Sequence, residues 1–312
     1  MNKSIRIIGM AAMVLLLAAS CKKENQNGSR KVTVKAGIES PAKTYVDGEN
    51  FARWNEEDEI MINGSKLTLT EMLNGGKEAK FEGEWLENEP LPDGEISLHC
   101  ITPAVDQKKL GNGDWGSWAQ VLKEQTYIKE NGRRFMDNLP MGCHTTTINN
   151  IEFHNLTSVF RIRVYASTSK NISKVEMIKN TGTPLGHDGD GHYDDYPIAG
   201  TIWYPHAGND LQNLELVDDE QKSYTITLNC GTNGVAVSTS ESTPTDFYFV
   251  AWPVQMGRGV IFKFYDMENN LVASIDKSIN IEDTVEPNTI YTFCENNSGQ
   301  SAALPYKLNW LN

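Results

Sequence analysis

"INNIEFHNLTSVFRIRVYAS", residues 148–167, is the stretch whose reading decides the fold class. Within it Ile162 and Val164 alternate with Arg161 and Arg163. A period of two puts the aliphatic side chains on one face of a strand and the guanidinium groups on the other. The same alternation opens the chain's structured part in "KVTVKAG", residues 31–37, where Val32, Val34 and Ala36 are interleaved with Lys31, Thr33 and Lys35. Between these two stretches, strands are predicted near 51–54, 58–62, 66–70, 77–85, 95–102 and 124–129. They are separated by turn signals at Asp47-Gly48, Asn63-Gly64, Asn74-Gly75-Gly76 and Asp93-Gly94. Downstream, "KVEMI", "AGTIWY", "YTITL", "GVIFKFYD", "LVASIDKSI" and "NTIYTFC" continue the series, and the unbroken apolar run Phe247 to Val254 reads as a strand buried on both faces. Nowhere do apolar residues recur at helical spacing over three turns. Short strands with dense turns predict an all-β protein built from sandwiches or barrels.

The chain has 312 residues and a formal net charge of −13. Such an acidic surface has no basic face with which to release phosphate counterions, so nucleic acid is excluded as a partner. The N-terminus carries its own signal in "LLLAASCKKEN", residues 15–25. The apolar segment Ile7 to Ser20 follows Lys3 and Arg6 and falls short of the ~20 residues that cross a bilayer as a helix. It reads as a secretory signal peptide over residues 1–20. Leu17-Ala18-Ala19-Ser20-Cys21 resembles the lipobox of bacterial lipoproteins, with the leucine one place early. That resemblance implies acylation of Cys21, and acyl chains worth ~0.8 kcal/mol per buried methylene would hold the protein on a membrane without crossing it. Residues 21–30, polar and containing "NQNGS", read as a tether. The remainder suits two domains, 31–147 and 148–296, followed by a C-terminal strand segment, 297–312. Four further cysteines, at 100, 143, 230 and 294, form no CxxC pair, so zinc and dithiol redox chemistry have no motif.

Longer segments carry a resemblance to a known family. "KTYVDGENFARWNEEDEIMING", "GGKEAKFEGEW", "LPMGCHTTTINNIEFHNLTSVFRIRV", "PIAGT" and "PNTIYTF" occur in the order found in the fimbrillin family, the pilus subunits and pilus-like lipoproteins of anaerobic Gram-negative bacteria. Glu57 stands where a glycine usually precedes the aspartate of the tryptophan motif. The resemblance implies two tandem transthyretin-like β-sandwich domains, an outer-membrane lipid anchor, other fimbrial subunits as partners, and assembly by a strand of one molecule completing a sheet of the next. Shaft subunits of the family lose their first strand by cleavage after an arginine in the following loop. Here Arg30 precedes the predicted first strand and Arg53 lies in the next one, which favours an accessory, anchor or tip member.

Several stretches carry both a chemical reading and a plainer one. "GNGDWG", residues 111–116, fits a glycine-rich phosphate loop in letters only, because no helix follows it, and it reads as a turn-rich loop. Trp115 and Trp118 in that polar setting offer indole faces for a sugar, against packing on the sandwich. "GHDGDGHYDDY", residues 186–196, is dense in oxygen ligands but fails the EF-hand spacing at His192, Tyr193 and Ala199, so no metal is assigned. Asp283-Thr284-Val285 resembles a short O-glycosylation motif, with Thr284 as acceptor. No catalytic motif occurs, so the chain is expected to be a non-enzyme without cofactor. In "LPYKLNWLN", residues 304–312, Leu304, Tyr306, Leu308 and Trp310 alternate with polar residues or proline. They specify a strand that either folds onto its own chain or is donated to a neighbouring subunit. Two functions follow: a fimbrillin-like surface lipoprotein binding a host or bacterial surface ligand, or a glycan-binding lipoprotein of a polysaccharide uptake system.

Overall fold

A computed structural model describes residues 30–39, 54, 56–86, 98–103, 105–109, 115–128, 139–180, 196–205, 215–216, 220–254, 256, 259–277, 285–295 and 304–311. The strands in chain order are β1 (Arg30–Ile38), β2 (Glu59–Ile62), β3 (Ser65–Leu73), β4 (Glu78–Trp85), β5 (Leu98–Thr102), β6 (Gln107–Lys109), β7 (Trp115–Val121), β8 (Glu124–Thr126), β9 (Met141–Thr145), β10 (Ile151–Asn155) and β11 (Ser158–Ala166). They continue with β12 (Asn171–Ile172), β13 (Lys174–Lys179), β14 (Gly200–Pro205), β15 (Glu215–Leu216), β16 (Thr225–Asn229), β17 (Val235–Ala236), β18 (Thr245–Ala251), β19 (Val260–Tyr265), β20 (Leu271–Lys277), β21 (Ile290–Phe293) and β22 (Tyr306–Leu308). A single 3₁₀ turn at Asn74–Gly76 is the only helical element among the described residues, and the protein is all-β.

Seven strands form a closed ring in the order β1-β10-β9-β5-β2-β3-β4. Where two sheets face to face are expected over residues 31–147, hydrogen bonding instead joins one continuous sheet to itself. The ring is filled by Trp54, Ile60, Ile62, Leu67, Phe81 and Phe153, each at most 2% exposed. Trp54, which sits just before β2 rather than in the strand predicted at 51–54, meets Phe81 and Phe153 edge-on at 4.9 and 5.5 Å. The other residues of that predicted strand, 51–53, lie outside the described set. Asn63 and Gly64 make the β2–β3 turn with φ of 45° and 77°, the left-handed pair that a two-residue hairpin demands.

The second half packs two sheets face to face. One has the order β18-β11-β21, with β22 also on β11; the other runs β20-β19-β13-β16-β8. Aromatic rings interlock between them, Phe247 with Phe264 at 5.9 Å and Phe249 with Phe262 at 5.8 Å. Phe247 to Ala251 are buried without interruption, as the apolar run predicts. On the opposite side of β11, Arg161 and Arg163 both bond Asp246 of β18, with Nε atoms 3.0 and 3.1 Å from its carboxylate oxygens. Arg161 is only 5% exposed, and its guanidinium also lies 5.6 Å from the Tyr248 ring centre. The one carboxylate thus offsets part of the positive charge that alternation places on this face.

Strand pairing does not divide at residues 147 and 148. β10, expected in the second unit, pairs parallel with β1 and antiparallel with β9 inside the ring. Conversely, β7 pairs with β14 and β8 with β16, so residues 115–126 join sheets of the second half. The chain passes from ring to sandwich between Asn155 and Ser158, where β10 gives way to β11. Each contact is nonlocal, so neither composition nor periodicity marks it in the sequence.

Candidate functional site: an exposed aromatic face and the terminal strand

The residues read as loop at 115 and 116 begin β7, so the loop reading of "GNGDWG" is corrected there, while 111–114 lie outside the described residues. β7 and its partners make a four-stranded sheet in the order β15-β14-β7-β6. Alternation gives it two unlike sides. Ser117, Ala119 and Val121 of β7 and Ile202 and Tyr204 of β14 are buried. Trp118 is exposed at 46%, Gln120 is exposed, and Thr201 and Trp203 of β14 are half-buried. Register places Trp118 opposite Trp203 and Gln120 opposite Thr201.

The two tryptophans expected to work together do different things. Trp115 is 7% exposed, and its ring covers the β2–β3 turn so closely that a Cβ on Gly64 would lie 2.6 Å from its Cη2. It is a packing residue, the plainer of the two readings that its sequence setting offers. Gln107 of β6 anchors the same junction, accepting from the Gly64 N–H at 2.7 Å and donating to the His99 carbonyl at 3.0 Å. The aromatic partner of Trp118 is instead Trp203, with ring centres 4.7 Å apart and planes at 64°. Gln120 Nε2 donates to Thr201 Oγ1 at 2.9 Å beside them. A cleft of about 190 Å³ opens next to Trp118, lined mainly by apolar groups of Ile101, Pro103, Val105, Leu122 and Pro140.

The terminal strand lies on its own chain. β22 pairs parallel with β11 through Tyr306, Lys307 and Leu308 opposite Val164, Tyr165 and Ala166, directly beyond the stretch of β11 that β21 occupies. Leu308 is 3% exposed within the second core, with Tyr306 and Trp310 packed against that core and Leu304 half-buried. The Leu304 carbonyl accepts from Glu295 N–H at 2.8 Å, Trp310 Nε1 donates to the Thr168 carbonyl at 2.8 Å, and Leu311 N–H donates to Val272 of β20 at 2.7 Å. The terminus therefore closes one side of the sandwich by touching both of its sheets. Burial, then the nearby Cys294 and Glu295, push the Tyr306 phenol up to about 12.

Cys21, Thr284 and residues 186–195 lie outside the described residues. Among those described, no cluster of three or more His, Cys, Asp or Glu side chains is placed to hold a metal ion. No helix among them is long and apolar enough to cross a membrane.

No family model and no curated protein matches the chain. It is similar to a solved structure of a candidate cell adhesion protein from Bacteroides uniformis at 13% identity, covering 90% of this chain and 98% of that one, with a TM-score of 0.45. A candidate cell adhesion protein from Bacteroides ovatus aligns at 9% identity over 91% and 97% of the two chains, with a TM-score of 0.44. A tip fimbrial protein from Porphyromonas gingivalis, truncated at its C-terminus, aligns at 7% identity over 90% and 91%, with a TM-score of 0.30. Likenesses of this depth leave function to be argued from the residues.

Proposed function

We propose that the chain is a fimbrillin-like lipoprotein of the cell surface, held in the outer membrane by acyl chains on Cys21 and acting as an accessory, anchor or tip component of a fimbria or as an adhesin. It is an interaction protein, not an enzyme, and its partners are other fimbrial subunits and a surface ligand. A lipoprotein signal peptide precedes the fold, whose plan is a variant of the family's tandem transthyretin-like arrangement in which the first unit is a closed ring. The observation that carries the reading is the seat of β22. It is a strand of three residues, paired on one side to β11 and reached through residues 296–303. A short strand lying along a longer one is the kind of contact that a second molecule can supply in its place. The same edge that the chain fills for itself is then the edge through which subunits join. Thr284 is a proposed glycan acceptor on the same exported protein.

The anchor is tested by changing Cys21 to serine in cells expressing the protein. The variant is expected to leave the membrane fraction and to lose incorporation of labelled palmitate. An unchanged palmitate signal in that variant would overturn the anchor.

A further inference from the structure

We propose that the outer side of the β15-β14-β7-β6 sheet binds a neutral oligosaccharide, with Trp203 as floor, Trp118 as wall, and Gln120 and Thr201 as the polar edge. This deepens the adhesive role above and rests on it only for its biological setting. The floor is built by a missing side chain. A Cβ on Gly116 would lie 2.1 Å from Cζ2 of Trp203 and 2.8 Å from Cε2 and Cη2, so the six-membered ring of that indole lies directly over the Gly116 backbone. Any side chain at 116 would lift it. The Trp118 ring, 46% exposed, stands across it at 64° with ring centres 4.7 Å apart. Two π faces therefore meet as a corner open to solvent.

A hexopyranose suits such a corner. Its axial C–H bonds make one face apolar, with the positive hydrogens that an indole face attracts, while its hydroxyls project from the ring edge. Two residues along, on the same face, the Gln120 to Thr201 bond uses an amide hydrogen and the hydroxyl lone pair. That leaves the Gln120 carbonyl oxygen as acceptor and the Thr201 hydroxyl hydrogen as donor, the two functions needed to meet a sugar hydroxyl. Register places Glu215 of β15 opposite Trp203 and Lys108 of β6 opposite Gly116, so the strands flanking the corner bring one residue of each sign and favour no net charge on the sugar. The neighbouring cleft shares Trp118 and Gln120 in its lining, which gives an adjoining sugar unit a place to continue.

The test titrates the purified protein with cellohexaose, maltohexaose and mannohexaose, read by tryptophan fluorescence and calorimetry. At least one is expected to bind and to change the emission. Trp118→Ala and Trp203→Ala should each weaken that binding about tenfold, and Gly116→Val should do the same by displacing the Trp203 ring. Trp118→Ala removes an exposed ring, so its melting midpoint should stay at the wild-type value and keep the result readable if Gly116→Val folds poorly. Binding to none of the three sugars overturns the proposal, as does binding that survives in the double tryptophan variant. So does binding confined to a polyanion such as heparin and abolished by salt. Because the assay needs no membrane, its failure leaves the Cys21 anchor standing, and failure of the anchor leaves the sugar site standing.

A separate observation carries a second inference: the structure assigns Cys100 and Cys143 as disulfide partners in the exported protein. They are direct cross-strand neighbours in the antiparallel β5–β9 pair, both inside the ring, at 0% and 4% exposure. Both are free thiols in this structure. Burial, then the adjoining Cys143, raises the Cys100 thiol well above its ordinary range, so oxidation belongs to the folding chain, before the ring closes over the pair. Each thiol would give up one proton and one electron, and the two electrons would reduce the disulfide of a small-molecule oxidant to two thiols. Refolding with oxidised glutathione followed by non-reducing peptide mapping should yield a linked peptide pair containing Cys100 and Cys143, with Cys230 and Cys294 alkylated. Recovery of all four cysteines alkylated, or a link between other cysteines, would overturn it.

Discussion

Trp54→Ala is expected to lower the stability of the protein by about 3 to 5 kcal/mol, the usual cost of removing a large aromatic ring from a core. The indole is 2% exposed, touches Phe81 and Phe153 edge-on, and its backbone N–H donates to Gly76 at 2.8 Å. Its loss leaves a cavity in the centre of a closed ring. Closure ties the strands to one another, so the ring cannot collapse by shifting one sheet towards a second. On a domain of this size the melting midpoint should fall by roughly 6 to 20 °C. Trp118→Ala, which empties no core, is the matched control. Equal midpoints for Trp54→Ala and wild type, by calorimetry at one pH, would contradict the packing described.

The strands were legible wherever burial alternates. "KVTVKAG" forms β1 with Val34 and Ala36 buried, and Arg161 and Arg163 lie on the side of β11 away from Ile162 and Val164. Legibility failed where pairing between distant segments decides the outcome. Gly111, Gly113 and Gly116 make residues 111–116 read as turns, yet Gly116 sits in β7 because the Trp203 ring needs its bare backbone. For the same reason Trp203 reads as an ordinary strand residue in "AGTIWY": nothing local announces that it lies on a glycine far upstream. Trp115 and Trp118 could not be told apart from sequence, since their fates depend on β6 docking to the Gly64 turn. Likewise "IEFHNLTSVFRIRV" reads as one run, although its first strand belongs to the ring and its second to the sandwich.

Deleting residues 302–312 is expected to produce a monomer that melts well below the wild type. The deletion strips β22 from β11, removes the buried Leu308 and the partly buried Tyr306 and Trp310, and frees the Val272 and Thr168 carbonyls. At ~1.5 to 3 kcal/mol for a fully buried side chain and less for the partly buried pair, the loss should reach about 4 kcal/mol. Exposing this side of the core also favours association through the bare edge of β11. A truncated protein that keeps the wild-type midpoint yet fails to assemble would show that the strand serves a neighbour and not its own sandwich. One that both melts and assembles normally would remove the segment from either role.

Location at the cell surface underlies every role proposed for this chain, and a membrane-impermeant amine-reactive biotin reports on it directly. Lys66 and Lys80 have side chains 54% and 44% exposed, so the folded protein offers the reagent accessible amines. On intact cells, the wild-type protein should be biotinylated to the same extent as in lysed cells, whereas a periplasmic marker protein should stay unlabelled until lysis. Labelling of the wild-type chain only after lysis would place it inside the outer membrane and contradict the surface role proposed for it.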